Sequence, residues 1–224
     1  MYKNLIYSRI ISKGNEMKLY IVRHGQTDWN YMQRFQGQVN IPLNELGREQ
    51  TLILKEAIKD LSYDIIYTSP LNRCTEMAHM INEDKTEILI EPLIIEMAFG
   101  IYEGESFADP SAFTKDHPFY NYYFDRPNYV PPAGGESFAD ILTRVENFLE
   151  KISKEHQGQT ILAFSHGAFI RSMISLIEQN PEDAKRRIPS PNNCSVTVIS
   201  HDSGKFVVEQ NAVDILEGEE LIIE

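Results

Sequence analysis

Short apolar runs alternate with longer amphipathic segments along most of this chain. The runs are rich in β-branched and aromatic residues, and they predict strands over residues 18–23, 64–68, 87–90, 160–165, 195–200 and 206–210. Apolar positions recurring at helical spacing predict helices over residues 45–61, 71–81, 138–155 and 168–179. Strands that alternate with long helices are typical of an α/β domain, so we expect a mostly parallel sheet with helices on both faces.

Local signals indicate how several of these helices are built. The first predicted helix places Leu46 and Leu54 on one face at helical spacing. Ser137, a residue type favoured at helix N-caps, precedes the third. The last should stop at Asn180-Pro181, because a residue that precedes proline disfavours helical geometry.

Reactive side chains follow four of the predicted strands. In chain order they are Arg23-His24-Gly25, Arg73, Glu96 and His166-Gly167. Open sheets of this class bind ligands just beyond the carboxyl ends of their strands. We therefore expect two arginines, two histidines and one glutamate to meet at a single edge of the sheet.

This combination suits phosphoryl transfer. Two guanidinium forks bind the non-bridging oxygens of a phosphoryl group, and like charge beside a histidine keeps its imidazole neutral and nucleophilic. A second histidine can hydrogen-bond the same oxygens, and a helix that begins at residue 168 would point its free N–H groups at the anion. A carboxyl group can protonate the departing alcohol and later deprotonate water.

The motifs that carry these residues resemble those of a known family. LYIVRHGQTDWN, RFQGQVNIPLNELGREQ, SPLNRCTEMA, EMAFGIYEGES, GGESFADILTRV and FSHGAFIR occur in order from about residue 18 to residue 200. An isolated RHG would be weak evidence, but the ordered set closely resembles the histidine phosphatase superfamily, also called phosphoglycerate mutase-like. The resemblance implies a three-layer α/β/α fold with a mixed, mainly parallel sheet, and it implies no metal or cofactor.

The same resemblance implies roles for individual residues. His24 would be the phosphorylated nucleophile and Glu96 the proton donor. The substrate-binding residues would be Arg23, Asn30, Arg73, His166 and Gly167. Three positions depart from the common family pattern: Gln26 replaces an acidic residue, Met77 stands where threonine is common, and Ala133 replaces proline. Glu136 is a second candidate for the acid, and we expect Met77 to lie on a buried helix face.

Composition narrows the class of partner. The net charge of −12 argues against nucleic acid and anionic membranes, while a small phosphorylated substrate needs only a local cluster of arginines. No apolar stretch approaches the roughly 20 residues of a membrane-spanning helix. The two cysteines match no metal or disulfide spacing, which favours a cytoplasmic location.

The chain divides into a catalytic domain over residues 17–216, an N-terminal extension over 1–16 and an acidic, solvated tail over 217–224. Residues 1–16 are either a true extension or lie upstream of a start at Met17. Within the domain, residues 105–132 form an insertion rich in aromatics and prolines, typical of a lid or binding loop. The strand over 206–210 could pair across a homodimer.

The reaction class rests on this insertion. Residues 104–132 offer Lys115 and Arg126 as cations against four acidic residues, whereas a mutase must anchor a second anionic end of its substrate. We therefore expect a phosphomonoester hydrolase that acts through a phosphohistidine on a small metabolite. The alternatives are a phosphoglycerate mutase and a non-catalytic relative that binds phosphorylated ligands.

Overall fold

A six-stranded mixed sheet forms the centre of the protein. The computed structural model describes residues 16–82, 86–179 and 190–223. The strands are β1 (Met17–Arg23), β2 (Ile65–Thr68), β3 (Ile88–Ile90), β4 (Thr160–Ser165), β5 (Val196–Asp202) and β6 (Lys205–Val213). Their order is β3-β2-β4-β1-β5-β6. The strands β1 to β4 run parallel, β5 pairs antiparallel with β1, and β6 pairs antiparallel with β5. The expected mixed, mainly parallel sheet is therefore confirmed.

Helices cover both faces of this sheet. They are α1 (Asp28–Tyr31), α2 (Glu45–Ala57), α3 (Asn72–Ile81), α4 (Tyr120–Phe124), α5 (Phe138–Glu155) and α6 (Gly167–Glu178). Alternate residues of β1 point to opposite faces, as strand geometry requires. Leu19 and Ile21 join the hydrophobic cluster under α5 and α6, whereas Tyr20 and Val22 join the cluster under α2 and α3. The fold is therefore the three-layer α/β/α arrangement.

The helix signals agree with the structure in part. Ser137 caps α5, where its hydroxyl accepts a hydrogen bond from the Asp140 N–H. The prediction for α2 was wrong in two respects, because the helix ends at Ala57 and Leu46 is 47% exposed. Its buried face runs through Gly47, Thr51 and Leu54 instead, since the glycine lies directly against the loop after β1. The expected stop at Asn180-Pro181 lies outside the described residues.

The aromatic insertion is a packed layer rather than an open loop. It contains α4 and two single-turn 3₁₀ helices (Pro110–Ala112 and Arg126–Asn128). Phe119 is fully buried and stacks on Phe35, with ring centroids 4.4 Å apart. Tyr122 and Tyr123 of α4 are buried in the same cluster, which continues into α5 and α6. The insertion therefore packs against the core, and Tyr122 and Tyr123 also line the cleft described below.

The acidic tail is anchored more firmly than the sequence indicates. Its glutamates at 217, 219 and 220 are exposed as expected. However, Leu221 and Ile223 pack against the cluster under α2 and α3, and the side-chain amide of Gln210 pairs with the backbone of Ile222. The expectation of a wholly solvated tail was wrong, because the apolar side chains of Leu221 and Ile223 pack on the hydrophobic core. In the described ranges, no helix is long and apolar enough to span a membrane.

Candidate active site

The segments that follow four adjacent strands, β3, β2, β4 and β1, deliver the reactive residues to one cleft. The order β2-β4-β1 places the segments after these strands side by side, and the His24 N–H donates to Ser165 O at 3.0 Å. The cleft opens to solvent, and its volume together with that of its open mouth is about 520 Å³. Its lining contains six of the seven residues that the sequence indicated: Arg23, His24, Asn30, Arg73, Glu96 and Gly167. The seventh, His166, is fully buried and lies behind this lining.

His24 is held as a neutral imidazole with one nitrogen free. Its Nδ1 lies 2.7 Å from the Gly25 carbonyl, so Nδ1 carries the proton and donates it. Within the described ranges, no group hydrogen-bonds Nε2. Burial lowers the pKa of His24 well below 6.5, and the charges of Arg73 and Arg23 lower it further. The free Nε2 lone pair is therefore available near neutral pH.

Arg73 is fully buried and fixed by three contacts. Its Nη1 donates to Val39 O (2.9 Å), its Nη2 to Gly37 O (2.8 Å) and its Nε to His166 Nδ1 (3.2 Å). Each terminal nitrogen keeps a second N–H for an oxygen atom in the cleft. Gly37 has a φ of +50°, and a Cβ there would collide with the Glu103 carboxylate, so this support requires glycine.

Arg23 supplies the second guanidinium. Its Nη1 donates to the Pro191 carbonyl, and its buried Nε lacks a hydrogen-bond partner in the described part of the chain. Gly167 packs beside this side chain, and a Cβ there would come within van der Waals contact of that Nε at 3.4 Å. Burial lowers the pKa of Arg23 to about 10, although the charge of Glu96 opposes the shift. Arg23 therefore remains charged at neutral pH and offers a buried donor to an anion.

His166 contacts Arg73 rather than the open cleft. Its Nδ1 accepts the bond from Arg73 Nε, and its Nε2 lies 2.7 Å from Ser69 Oγ. Burial lowers the pKa of His166 well below 6.5, and the charges of Arg73, His24 and Arg23 lower it further. A neutral ring that accepts at Nδ1 must carry its proton on Nε2. His166 thus orients the Arg73 fork, and a direct bond to a phosphoryl oxygen stays a prediction.

Glu96 occupies the start of α6. Its carboxylate accepts hydrogen bonds from the N–H groups of Met97 (2.8 Å), Ala168 and Phe169 (both 3.2 Å). A carboxylate is stabilised at this end of a helix by the free N–H groups and the helix dipole. The expectation that these N–H groups point at the substrate anion was wrong for the structure as it stands, because Glu96 takes them. The same contacts hold its carboxyl group beside Gly167 in the cleft wall.

Arg144 is a site residue that sequence reasoning missed. Its Nη1 donates to the carbonyls of Leu93 (2.6 Å) and Ile95 (2.9 Å), immediately before Glu96. It also forms a bidentate ion pair with Glu136 (2.7 and 2.9 Å). Glu136, the second candidate for the acid, therefore supports Arg144 and lies outside the cleft lining. No spacing signal identifies Arg144, because its partners are backbone carbonyls about fifty positions earlier in the chain.

Two of the three departures from the family pattern, Met77 and Gln26, have structural roles. Met77 is fully buried as expected, and its Sδ accepts a hydrogen bond from the Gly25 N–H at 3.0 Å, directly behind the nucleophile. Gln26 accepts a bond from Asn44, the residue that caps α2. Both side chains therefore fix the loop after β1.

The outer cleft contains further residues that the sequence did not single out. Arg34 and Gln36 line it, and its apolar wall consists of Phe35, Phe99, Phe107, Tyr122 and Tyr123. Asn30 uses its Oδ1 to accept bonds from the backbone N–H and hydroxyl of Thr27. Because the Asn30 oxygen is engaged, only its amide NH₂ group remains for a ligand.

Clustered metal ligands and exposed thiols are absent from the described residues. These residues contain no group of three His, Cys, Asp or Glu residues that could hold a metal ion. Cys74 and Cys194 are buried free thiols, and burial raises the pKa of each to about 12. Neither cysteine lines the cleft.

Comparisons with known proteins agree with this geometry. A family model of the histidine phosphatase superfamily (branch 1) matches residues 19–214. Phosphoserine phosphatase 1 of Hydrogenobacter thermophilus is 34% identical over 158 residues, which cover 70% of this chain and 74% of that protein. The structure of Bacillus stearothermophilus YhfR matches with a TM-score of 0.78 at 28% identity, over 88% of this chain and 96% of that chain.

A second solved structure, phosphoserine phosphatase of Entamoeba histolytica in complex with 3-phosphoglyceric acid, matches with a TM-score of 0.75 at 26% identity. The match covers 86% of this chain and 95% of that chain. The family match begins within β1, ends directly after β6 and includes all residues that line the cleft. This chain is therefore an enzyme that belongs to the histidine phosphatase superfamily.

Proposed function

We propose that the enzyme hydrolyses small phosphomonoesters in two steps through a phosphohistidine at His24. In the first step, Nε2 of His24 attacks phosphorus and the bond from phosphorus to the alcohol oxygen breaks. Glu96 in its acid form gives its proton to that oxygen, so the alcohol leaves neutral. In the second step, Glu96 takes a proton from water while the water oxygen attacks phosphorus, which releases phosphate and restores the imidazole.

The observation that carries this proposal is a neutral, oriented imidazole that shares one cleft lining with two guanidinium groups. The Nδ1–H bond to Gly25 O aims the opposite nitrogen of His24. Arg23 and Arg73 supply donors to the same cleft, where charge spreads over three equatorial oxygens during transfer. His166, Gly37 and Val39 hold Arg73, so its donors need little reorganisation when the phosphoryl group arrives.

We propose that the substrate is a small phosphorylated metabolite of the phosphoserine or phosphoglycerate type. Support comes from the phosphoserine phosphatase relatives and from the complex with 3-phosphoglyceric acid. The cleft also suits a compact ester, because the packed aromatic wall limits its width. Sugar phosphates and nucleotide-pathway intermediates would form the comparison set in a metabolite panel.

The experiment is a phosphate-release assay with p-nitrophenyl phosphate and O-phosphoserine. We expect His24→Ala to abolish turnover of both substrates. The matched control is His79→Ala, since His79 is an exposed histidine on α3 outside the cleft lining. Turnover that survives in the His24 variant, or an equal loss in both variants, would remove His24 from the proposed role.

The mutase alternative keeps one observation in its favour. Arg34 adds a third arginine to the cleft lining, and a mutase needs an extra cation for the second anionic end of its substrate. Hydrolysis is favoured because the insertion contributes aromatic side chains to the cleft and no cation. The test is conversion of 3-phosphoglycerate to 2-phosphoglycerate with added bisphosphoglycerate. Rapid conversion without phosphate release would establish the mutase, and stable binding without either reaction would establish a non-catalytic relative.

We further propose a cytoplasmic enzyme without nucleic-acid or membrane partners, and the net charge of −12 together with two free thiols supports this. Among the described strands, β6 pairs with β5 alone, which supports its proposed use in a homodimer. Sedimentation of the full chain, with and without Val207→Lys on β6, tests the dimer. A monomeric full chain would contradict it.

A further inference from the structure

We propose that Arg34 binds a carboxylate on the leaving group, so that the enzyme prefers phosphate esters of hydroxy acids over esters that lack an acid group. This inference rests on the proposed function and assigns a specificity-determining residue to the same cleft. Arg34 would bind the alcohol part of the substrate, which leaves, whereas Arg23 and Arg73 bind the phosphoryl group, which is transferred.

The backbone of Arg34 is fixed by antiparallel pairing with the start of the insertion. Arg34 forms a bridge with Ser106, and the flanking bonds run from the Phe35 N–H to Glu105 O (2.9 Å) and from the Gly104 N–H to Phe35 O (2.7 Å). Phe35 is buried in the aromatic cluster and stacks on Phe119. Arg34 is thereby anchored in position while its side chain remains exposed and lines the cleft.

The guanidinium of Arg34 has donors to spare. Its Nη1 donates to the Gly104 carbonyl at 2.7 Å, which fixes one side of the fork. In the part of the chain that the structure describes, no carboxylate pairs with Arg34. The protein has 33 acidic residues that could pair with a surface arginine, yet the Arg34 side chain borders the cleft. A planar fork with free N–H groups matches the bidentate geometry of a carboxylate.

The charges of the cleft favour a substrate with a second anion. A phosphomonoester carries nearly two negative charges on its phosphoryl group, and Arg23 and Arg73 at the nucleophile match them. Glu96 serves the bridging oxygen. Apart from Arg23, Arg73 and Glu96, Arg34 is the one Lys, Arg, Asp or Glu residue among the described residues that line the cleft. Its neighbours in the lining are largely aromatic or amide side chains. A carboxylate on the leaving group is the simplest complement to this third cation.

The test compares substrate pairs that differ only at the acid group. 3-Phosphoglycerate is paired with glycerol 3-phosphate, and O-phosphoserine with phosphoethanolamine. For Arg34→Gln, we expect the ratio of kcat/KM within each pair to fall roughly tenfold, the effect of losing one charge-assisted hydrogen bond at an exposed site. Arg34→Lys should restore part of the ratio, because it keeps the charge but not the fork.

A matched control removes one positive charge elsewhere. Arg48 lies on α2, pairs with Glu76 and does not line the cleft, so Arg48→Gln should leave both ratios unchanged. If Arg34→Gln lowered the kcat/KM of both members of a pair by the same factor, its effect would be general and the proposal would be overturned.

Binding measurements separate this inference from the proposed reaction. Calorimetry on His24→Ala and on the double variant His24→Ala/Arg34→Gln gives the Kd of 3-phosphoglycerate and glycerol 3-phosphate without turnover. We expect the preference for 3-phosphoglycerate to fall roughly tenfold when Arg34 is lost. If wild-type enzyme released no phosphate while this preference held, the hydrolytic mechanism would fail and the role of Arg34 would stand. Equal Kd values for the two ligands in His24→Ala would overturn the role of Arg34.

Discussion

Replacing Glu96 with glutamine separates its chemical role from its structural one. The carboxylate accepts bonds from three backbone N–H groups, two of them in the first turn of α6. Glutamine keeps the shape but loses the negative charge. Its NH₂ group replaces either Oε1, which accepts from all three N–H groups, or Oε2, which accepts from Ala168. Losing the charge from these bonds and from the helix end should lower the free energy of unfolding by about 2 kcal/mol. For a chain of this length the melting temperature should fall by about 4–8 °C.

The catalytic effect should depend on the leaving group. An alkyl alcohol needs a proton as it departs, whereas p-nitrophenolate needs little help. We expect Glu96→Gln to lower kcat/KM for O-phosphoserine by ~10²–10⁴-fold and that for p-nitrophenyl phosphate far less. The assay is phosphate release from both substrates at a temperature where the variant is fully folded.

Glu91→Gln is the matched control for Glu96→Gln. Glu91 is also a buried carboxylate that accepts a backbone bond, from the Leu93 N–H, and it pairs with Lys151 away from the cleft. Glu91→Gln should lower the free energy of unfolding without changing the ratio of kcat/KM between O-phosphoserine and p-nitrophenyl phosphate. Equal losses on both substrates in Glu96→Gln would refute the role of Glu96 as the proton donor.

Two further predictions follow from buried contacts. Arg144→Lys should lower kcat/KM more for O-phosphoserine than for p-nitrophenyl phosphate, as Glu96→Gln does but to a smaller extent. The reason is that the variant weakens the hydrogen bonds to the carbonyls of Leu93 and Ile95, which precede Glu96. An equal loss of kcat/KM on both substrates would contradict a positioning role for Arg144. Burial lowers the pKa values of His24 and His166 below 6.5, so the unfolded chain binds more protons as the pH falls through and below 6.5. As the pH falls below 6.5, the free energy of unfolding should therefore fall by up to about 1.4 kcal/mol per pH unit for each histidine. Urea titrations at several pH values measure this dependence, and His24→Asn should show a weaker change of the free energy of unfolding with pH. An equal change in the variant and the wild type would contradict the buried, neutral state.

The sheet and the position of the cleft could be predicted from the sequence. Apolar β-branched runs identify strands strongly when both faces are buried, and β4 was predicted with the bounds that the structure shows. The reactive residues stand directly after these strands, so the topology alone brings Arg23, His24 and Arg73 together. Edge and end features were less predictable, because the end of α2 and the anchored tail depend on tertiary packing rather than on local periodicity.

The supporting contacts of the site could not be read from spacing. Arg144 acts on backbone carbonyls of a distant loop, and Arg34 reaches the cleft through a short pairing with the insertion. His166 follows its strand as predicted, but its ring nitrogens contact Arg73 and Ser69 in the folded chain. Motifs thus identify which residues meet, whereas their hydrogen bonds decide which of them face the ligand and which orient another residue.

The most direct test of the account is isolation of the covalent intermediate. Enzyme mixed with radiolabelled phosphate ester is quenched in base, where phosphohistidine survives, and the label is mapped by peptide mass spectrometry. The account predicts one acid-labile phosphoryl group on His24, present in His79→Ala and absent in His24→Ala. Turnover without labelling of the enzyme, or a label on any other residue, would contradict it.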